Sequence, residues 1–325
     1  MTDLDWDGAV DLLSAARTVV VACHVNPDGD ALGSALGLGL ALRARGLAVC
    51  VSFGSSDGPD EVVTVPATLA FLPGQELLCP PAAVLGQAAP DVLVTTDTGS
   101  ADRLGPLEPL LAAATTLVID HHASNTRFGS ALLLEPAAAS TTVLVAELVH
   151  RLGVRLTAPI ATCLYAGLVT DTGQFQFSAT TPAVHALAGE LLAAGVRPEL
   201  VGRELFGTAP FAAVQLQGSA LARAVLEPGL AWTWIELAER EAAGLPLAAV
   251  EGVIDSLRVT AEAEVALVAK GVGPGEWAMS TRSRGTVDVG AACVALGGGG
   301  HRFAAGVTLH GDLAEVVAKV RSALP

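Results

Sequence analysis

Residues 17–34 read Arg17-Thr-Val-Val-Val-Ala-Cys23-His24-Val-Asn-Pro27-Asp28-Gly29-Asp30-Ala-Leu-Gly33-Ser34. A β-branched run ends on a histidine. A Pro-Asp-Gly-Asp loop follows, then an Ala/Leu-rich stretch from Ala31 to Arg45 that lacks proline and closes at Gly46. A strand, a tight turn and a helix with a glycine stop open an α/β unit. The pattern then recurs. Strands are expected at Leu47–Gly54, from Asp91 into Thr95-Thr-Asp97, and from Thr115 into Asp120-His121-His122. Helices are expected at Leu107–Ala114, Ser140–Leu152 and Pro159–Val169. Short apolar strands separated by helices imply a mostly parallel sheet covered on both faces. Ligands of such sheets bind beyond the carboxyl ends of the strands.

From Pro182 to about Gln217 the pattern is wholly helical. The β/α alternation then resumes at 230–237, 262–272 and 276–284, and a helix over 313–324 ends the chain. A length of 325 residues suits two domains. The expected organisation is an α/β domain over residues 1–185, a helical linker over 186–212 and a smaller α/β domain over 213–325.

Composition removes several function classes. Hydrophobic residues make up 51% and charged residues 16%, and the mean hydropathy is +0.54, so a disordered chain is excluded. Charged residues, Gly or Pro interrupt the apolar runs before the ~18–20 residues that span a bilayer. The N-terminal MTDLDWDGAV lacks the layout of a secretory leader, and no membrane association is expected. Five cysteines, odd in number and scattered, argue against a disulfide framework or a thiolate zinc site, and for the reducing cytoplasm. The net charge is −15, and only Lys270 and Lys319 among 18 cations are lysine. Gripping long duplex takes a basic face, so that class of partner is disfavoured.

The chemistry-bearing residues cluster at strand ends. Asp28 and Asp30 would repel each other unless a cation lies between them; helix capping by Asp30 is the competing reading. Thr95-Thr-Asp97-Thr-Gly99, Asp120-His121-His122-Ala-Ser-Asn125 and Gly167-Leu-Val-Thr-Asp171-Thr-Gly173 are the further clusters. Hard oxygen and imidazole donors without thiolate suit Mn²⁺ or Mg²⁺, with Zn²⁺ or Co²⁺ as substitutes. Four carboxylates balance two divalent ions, the arrangement used for in-line displacement at phosphorus. Gly297-Gly298-Gly299-Gly300-His301-Arg302 and Thr281-Arg282-Ser283-Arg284 supply anion-binding groups, although a glycine run is also common turn chemistry. Gly54-Ser-Ser56-Asp-Gly58 matches the nucleophile elbow of serine hydrolases, but the helix this motif requires does not follow it.

HVNPDGDALGS, TTDTG, DHH and GLVTDTG, in this order, resemble the four motifs of the DHH phosphoesterases. GGGGHRFAAG resembles the signature of the DHHA1 substrate-binding domain. The length and layout are similar to the branch that degrades short RNA (nanoRNA) and dephosphorylates 3′-phosphoadenosine 5′-phosphate (pAp). The resemblance implies an α/β fold: a mostly parallel-sheet DHH domain and a smaller α/β DHHA1 domain on a helical linker. It implies that His24, Asp28 and Asp97 hold one Mn²⁺. Asp30, Asp97, His121 and Asp171 would hold the other, with Asp97 shared. Catalytic roles fall to Asp97 and to His122, beside the scissile phosphate. Asp120 would orient a histidine ligand. Arg282, Ser283, Gly298, Gly299, Gly300 and His301 would bind the substrate's terminal phosphate or nucleotide. Gln176 stands where many relatives carry arginine.

The activity implied is Mn²⁺-dependent hydrolysis of short single-stranded RNA to mononucleotides, and of pAp to AMP. Mg²⁺ or Co²⁺ would be substitute ions, and a homodimer is compatible with the likeness. A cyclic di-AMP or pApA phosphodiesterase shares the layout. A RecJ-like single-strand DNA exonuclease usually carries a further domain. A manganese pyrophosphatase lacks the GGGGH ending. A catalytically idle scaffold would be expected to have lost ligands that are all present here.

Overall fold

The computed structural model describes residues 3–55 and 60–325. Contacts divide the chain into Met1–Thr208 and Ala209–Pro325. Most of the segment read as a linker, 186–212, therefore packs with the first unit.

The first unit runs β1 (Asp3–Leu4), α1 (Trp6–Ala15), β2 (Thr18–Cys23), α2 (Gly29–Ala44), β3 (Ala48–Ser52), α3 (Pro81–Leu85), β4 (Val92–Thr96), β5 (Thr115–Asp120), β6 (Ala131–Leu134), α4 (Thr141–Arg151), α5 (Ala158–Asp171), α6 (Pro182–Ala193) and α7 (Pro198–Phe206). Its sheet has the order β1-β6-β5-β4-β2-β3. All pairs are parallel except β1 against β6, so the mostly parallel sheet read from the sequence is what forms. The central strands β2, β4 and β5 are buried almost end to end, as expected for a sheet covered on both faces. The short edge pair β1 and β6 has too little apolar pattern to be read from sequence.

Helix α2 is buried from Gly29 to Leu42. It is apolar all round, which suits a core helix rather than a surface one. It lies close against α5. A Cβ at Gly33 would stand 2.4 Å from the Cys163 carbonyl oxygen, and one at Gly167 would stand 2.8 Å from Asp30 Cα. Missing side chains at this crossing let the amino end of α2 meet the carboxyl end of α5, where Asp171 sits.

Two readings need correction. The helix expected over Leu107–Ala114 is instead a run of 3₁₀ turns over Ala101–Ala112, kinked at Gly105. Pro106 and Pro109 deprive it of the N–H donors a continuous α-helix needs. Cys50 on β3 and Cys79 are disulfide-bonded, with Cα atoms 6.0 Å apart. The chain fold brings them together across a separation of 29 residues, which composition does not reveal. Cys23, Cys163 and Cys293 are buried thiols. Ser56 of the elbow-like motif lies outside the described residues. Among the described residues no helix is long and apolar enough to cross a membrane.

The second unit runs α8 (Phe211–Ala222), β7 (Val225–Glu227), β8 (Gly229–Ile235), α9 (Leu237–Ala242), α10 (Val253–Leu257), β9 (Ala263–Gly273), β10 (Glu276–Ser283), α11 (Val289–Ala295), β11 (Gly299–His301), β12 (Ala304–His310) and α12 (Leu313–Ala323). Its sheet order is β11-β12-β10-β9-β8-β7. Only β8 and β9 pair in parallel. One face packs on α11 and α12 through Val289, Cys293, Val316 and Val320. The other packs on α8 and α10 through Leu216, Ile254 and Leu257.

Replacing Gly33 by Ala should lower stability by about 1–3 kcal/mol, because the added methyl meets a backbone oxygen rather than a side chain that can move. Gly189→Ala, on exposed α6 with nothing within 4 Å of the new Cβ, should raise stability by about 0.4–1 kcal/mol. Urea unfolding of the two variants checks the contrast.

Candidate metal centre

The loop after β2 carries the first donors. Asp28 caps α2, its Oδ1 accepting from the amides of Asp30 and Ala31. Asp28 is therefore the cap, not Asp30 as the competing reading had it. Asp30 lies in the first turn, two residues after the cap, and is fully buried. Asp97 follows β4 with φ +53° and is 2% exposed. A left-handed backbone at a non-glycine residue costs energy and turns the carboxylate out of the strand direction. Asp120 ends β5, with His121 and His122 immediately behind it. Asp171 ends α5.

These residues converge. His24 Nε2 stands 4.0 Å from Asp28 Oδ1 and 3.8 Å from Asp97 Oδ2. His121 Nε2 stands 3.2 Å from Asp171 Oδ2, 3.5 Å from Asp97 Oδ1 and 3.8 Å from Asp30 Oδ2. Two donor groups result, His24–Asp28–Asp97 and Asp30–His121–Asp171. Asp97 turns one oxygen toward each. Donors about 2.1 Å from a common small divalent ion stand roughly 3–4 Å from one another, so the spacing fits such ions.

The imidazoles are held from behind. His24 Nδ1 donates to the Val25 carbonyl at 2.8 Å, and His121 Nδ1 to that of Ala138 at 3.1 Å. A carbonyl only accepts, so each ring carries a proton on Nδ1 and turns Nε2 toward the carboxylates. Metal-ligating histidines are commonly fixed in this way. Asp120 works on the other histidine: its Oδ1 accepts from His122 Nδ1 at 2.7 Å and from the His121 amide. Asn125 donates to Asp120 Oδ2 at 2.6 Å.

Burial raises Asp30 and raises Asp97 strongly, and the neighbouring aspartates add to the effect on both. Burial and Asp30 push Asp171 up to about 7. Burial opposes a charge on His121, but Asp171, Asp30 and Asp97 outweigh it and hold the imidazole well above its ordinary value. His24 is lowered by burial, which keeps it neutral as a ligand must be. Asp120 is also buried, yet its bonds to His122 and Asn125 hold it below the usual range. The carboxylates of the two donor groups resist ionising together and call for positive charge; Asp120 already has its donors.

The residues read as anion-binding lie in the second unit, on or beside one sheet. Arg282 on β10 pairs across with Ala304 on β12, and Ala304 pairs with His301 on β11. Residues directly opposite share a face, so Arg282 and His301 flank a floor made of Ala304. The next row on that face is Ser280, Gly306 and Gly299. Gly297 lies in a turn and Gly299 and Gly300 open the edge strand β11, with tight packing: a Cβ at Gly298 would meet the Gly306 oxygen at 2.3 Å, and one at Gly300 the Ala304 oxygen at 2.6 Å. Ser283 gives its hydroxyl proton to Glu264 at 2.8 Å, and it accepts from the amides of Gly285 and Val287. These bonds brace the turn after β10. Lys270, unremarked in the sequence, is buried beside Ser280 Oγ at 2.8 Å and Glu251 at 2.5 Å.

Missed by sequence reading were the contacts from α4. The amides of Thr141 and Thr142 donate to the two oxygens of Asp30, and Thr141 Oγ1 donates to Asp97. Ser-Thr-Thr before an apolar run signals a helix start, but not what the start faces.

The mostly parallel sheet, with carboxylates and imidazoles gathered beyond its strand ends, is that of an α/β protein able to hold divalent ions. The chain belongs to the DHH family: residues 18–168 match the DHH family N-terminal domain and 237–324 the DHHA1 domain. It is 36% identical to the bifunctional oligoribonuclease and PAP phosphatase NrnA of Thermus thermophilus, over 94% of this chain and 89% of that one. An exopolyphosphatase-related protein from Bacteroides fragilis shares the fold, with a TM-score of 0.87, 23% identity and coverage of 98% and 94% of the two chains. RecJ of Thermus thermophilus in complex with Mn²⁺ superposes with a TM-score of 0.58 at 16% identity, covering 98% of this chain and 54% of that one.

A raised carboxylate binds its proton more tightly folded than unfolded. Its contribution to stability is complete below the unfolded value and lost as pH rises through the folded one. Raised His121 loses its contribution in the same direction. For Asp171 the window runs from about pH 4 to about pH 7. Metal-free protein should therefore melt lower at pH 7.5 than at pH 5.5, and Mn²⁺ should raise the melting temperature more at pH 7.5. Calorimetry with chelator and with Mn²⁺ measures both; a metal-free melting temperature that climbs over this interval would contradict the assignment.

Proposed function

We propose that this chain is a cytoplasmic Mn²⁺-dependent phosphoesterase that degrades short single-stranded oligoribonucleotides to mononucleotides and dephosphorylates pAp to AMP. The observation that carries the reading is Asp97, whose two oxygens serve two donor groups, in a chain similar over nearly its whole length to a bifunctional oligoribonuclease and PAP phosphatase.

His24, Asp28 and Asp97 would hold one ion; Asp30, Asp97, His121 and Asp171 would hold the other. When bound, such ions lower the pKa of a water molecule and offset charge on phosphoryl oxygens. The chain's own groups do the rest. His24 and His121 each hold their Nδ1 proton on a backbone carbonyl, which leaves Nε2 as the ligand atom; His121 would give up its second proton as a cation binds. Asp120 orients His122, which is assigned to the scissile phosphate or to proton delivery to the leaving oxygen. In the second unit, Arg282 and His301 are assigned to the substrate's phosphate or nucleotide. The small floor between them, Ala304 with Gly306 and Gly299, leaves room for it. Burial opposes the charge on Arg282 while Asp255 and Glu251 favour it, and the guanidinium stays charged. A carboxylate neighbourhood of this kind limits attraction for long polyanions and favours short ends.

Two substitutions test the roles. Asp97→Ala should keep the fold yet lower kcat on pAp by at least about 10³-fold, or ~4 kcal/mol of barrier; unchanged turnover would defeat the catalytic assignment. Arg282→Ala should leave two Mn²⁺ per chain and raise KM about tenfold, the worth of one charge-assisted contact.

The deciding experiment is a panel of pAp, a linear diribonucleotide, cyclic di-AMP and a single-stranded DNA oligomer with Mn²⁺, Mg²⁺ or chelator. The expected order places pAp and the diribonucleotide first, with Mn²⁺. Preference for cyclic di-AMP or for DNA would overturn the substrate assignment and leave the metal site intact.

A further inference from the structure

Helix α4 begins beside two of the metal-facing carboxylates. Ser140 occupies its N-cap position but does not cap it. The Ser140 hydroxyl is instead paired with Thr142 Oγ1 at 2.6 Å. The first amides of the helix go to a residue 111 positions earlier: Thr141 N–H donates to Asp30 Oδ2 at 2.6 Å, and Thr142 N–H to Asp30 Oδ1 at 2.9 Å. Ser34 Oγ approaches Asp30 Oδ1 at 3.5 Å. Asp30 thus caps α4 from outside, and the positive end of an eleven-residue helix faces it. Thr141 has a second link: its hydroxyl donates to Asp97 Oδ1 at 2.9 Å. Ser140, Thr141, Thr142 and Asp30 are all fully buried, so water does not compete for these bonds.

One residue therefore ties together two carboxylates that come from different elements, Asp30 on α2 and Asp97 after β4. Each bond occupies one lone pair of its oxygen and leaves the other facing His121. We propose that Thr141 is a positioning residue. Its backbone N–H and side-chain O–H set the separation and orientation of Asp30 and the shared Asp97, and so the affinity of the centre for its ions. The inference rests on the two-metal reading above and deepens it.

The test separates hydroxyl from shape. Valine keeps the volume and branching of threonine but has no donor, serine keeps the donor but not the methyl, and alanine keeps neither. Mn²⁺ binding to the whole protein is measured by isothermal titration, and the exchange-coupled signal of a Mn²⁺ pair by electron paramagnetic resonance. Thr141→Val and Thr141→Ala should weaken Mn²⁺ binding about 10–100-fold and diminish the coupled signal, with Thr141→Ser within about threefold of the parent, as for other groups that support metal ligands. Melting temperatures identify any variant that has not folded; serine against alanine then decides without valine. Parent-like binding in Thr141→Val, or loss in Thr141→Ser as deep as in Thr141→Ala, would overturn the proposal. Absence of Mn²⁺ binding in the parent chain would instead sink the metal reading itself.

Discussion

Carboxylates packed side by side away from water cannot all stay ionised without something positive among them. This constraint governs the first unit. Asp30 and Asp97 are almost wholly buried, and Asp171 and Asp28 complete the group. Desolvation and mutual repulsion push three of the four toward their protonated forms. A cation that binds there displaces those protons, so its hold strengthens as pH rises. A chain that accepts this strain in its core is built around something it must capture.

The fold delivers the strained group by bringing several elements to one edge. Strands β2, β4 and β5 end there, and the buried α2 starts there. Helix α5 ends there because glycines at its crossing with α2 remove the side chains that would hold it away. The supporting bonds come mostly from main chain: the carbonyls of Val25 and Ala138, and the amides that open α4. Groups of that kind depend on how the sheet and helices pack, so the packing itself tunes the site.

The mostly parallel sheet was legible because β2, β4 and β5 are short apolar runs with polar clusters behind them. The clustering residues were legible for the same reason: Asp28, Asp97 and His121 interrupt the pattern where a strand stops. What stayed hidden has physical causes. A backbone N–H has no letter, so the bonds from Thr141 and Thr142 to Asp30 left no trace beyond a helix-start pattern. Cys50 and Cys79 meet through the chain fold alone. The Leu107–Ala114 segment looked helical by its leucines, while its prolines decided otherwise. The glycine run was read as anion-binding backbone or a flexible turn, and pairing with β12 draws Gly299 and Gly300 into a strand. Asp120 was expected behind a ligand and stands behind His122.

The left-handed backbone at Asp97 narrows what natural drift can do to this position. Glycine would relax the strain but abolish the ligand, and asparagine tolerates the conformation but lacks the negative charge. Glutamate keeps the charge, on a longer arm and at a dihedral that suits it less well. No substitution satisfies backbone and chemistry together, so a descendant freed from selection for hydrolysis would escape there early. Residue 97 is thus a marker by which a retired copy of this gene could be told from a working one.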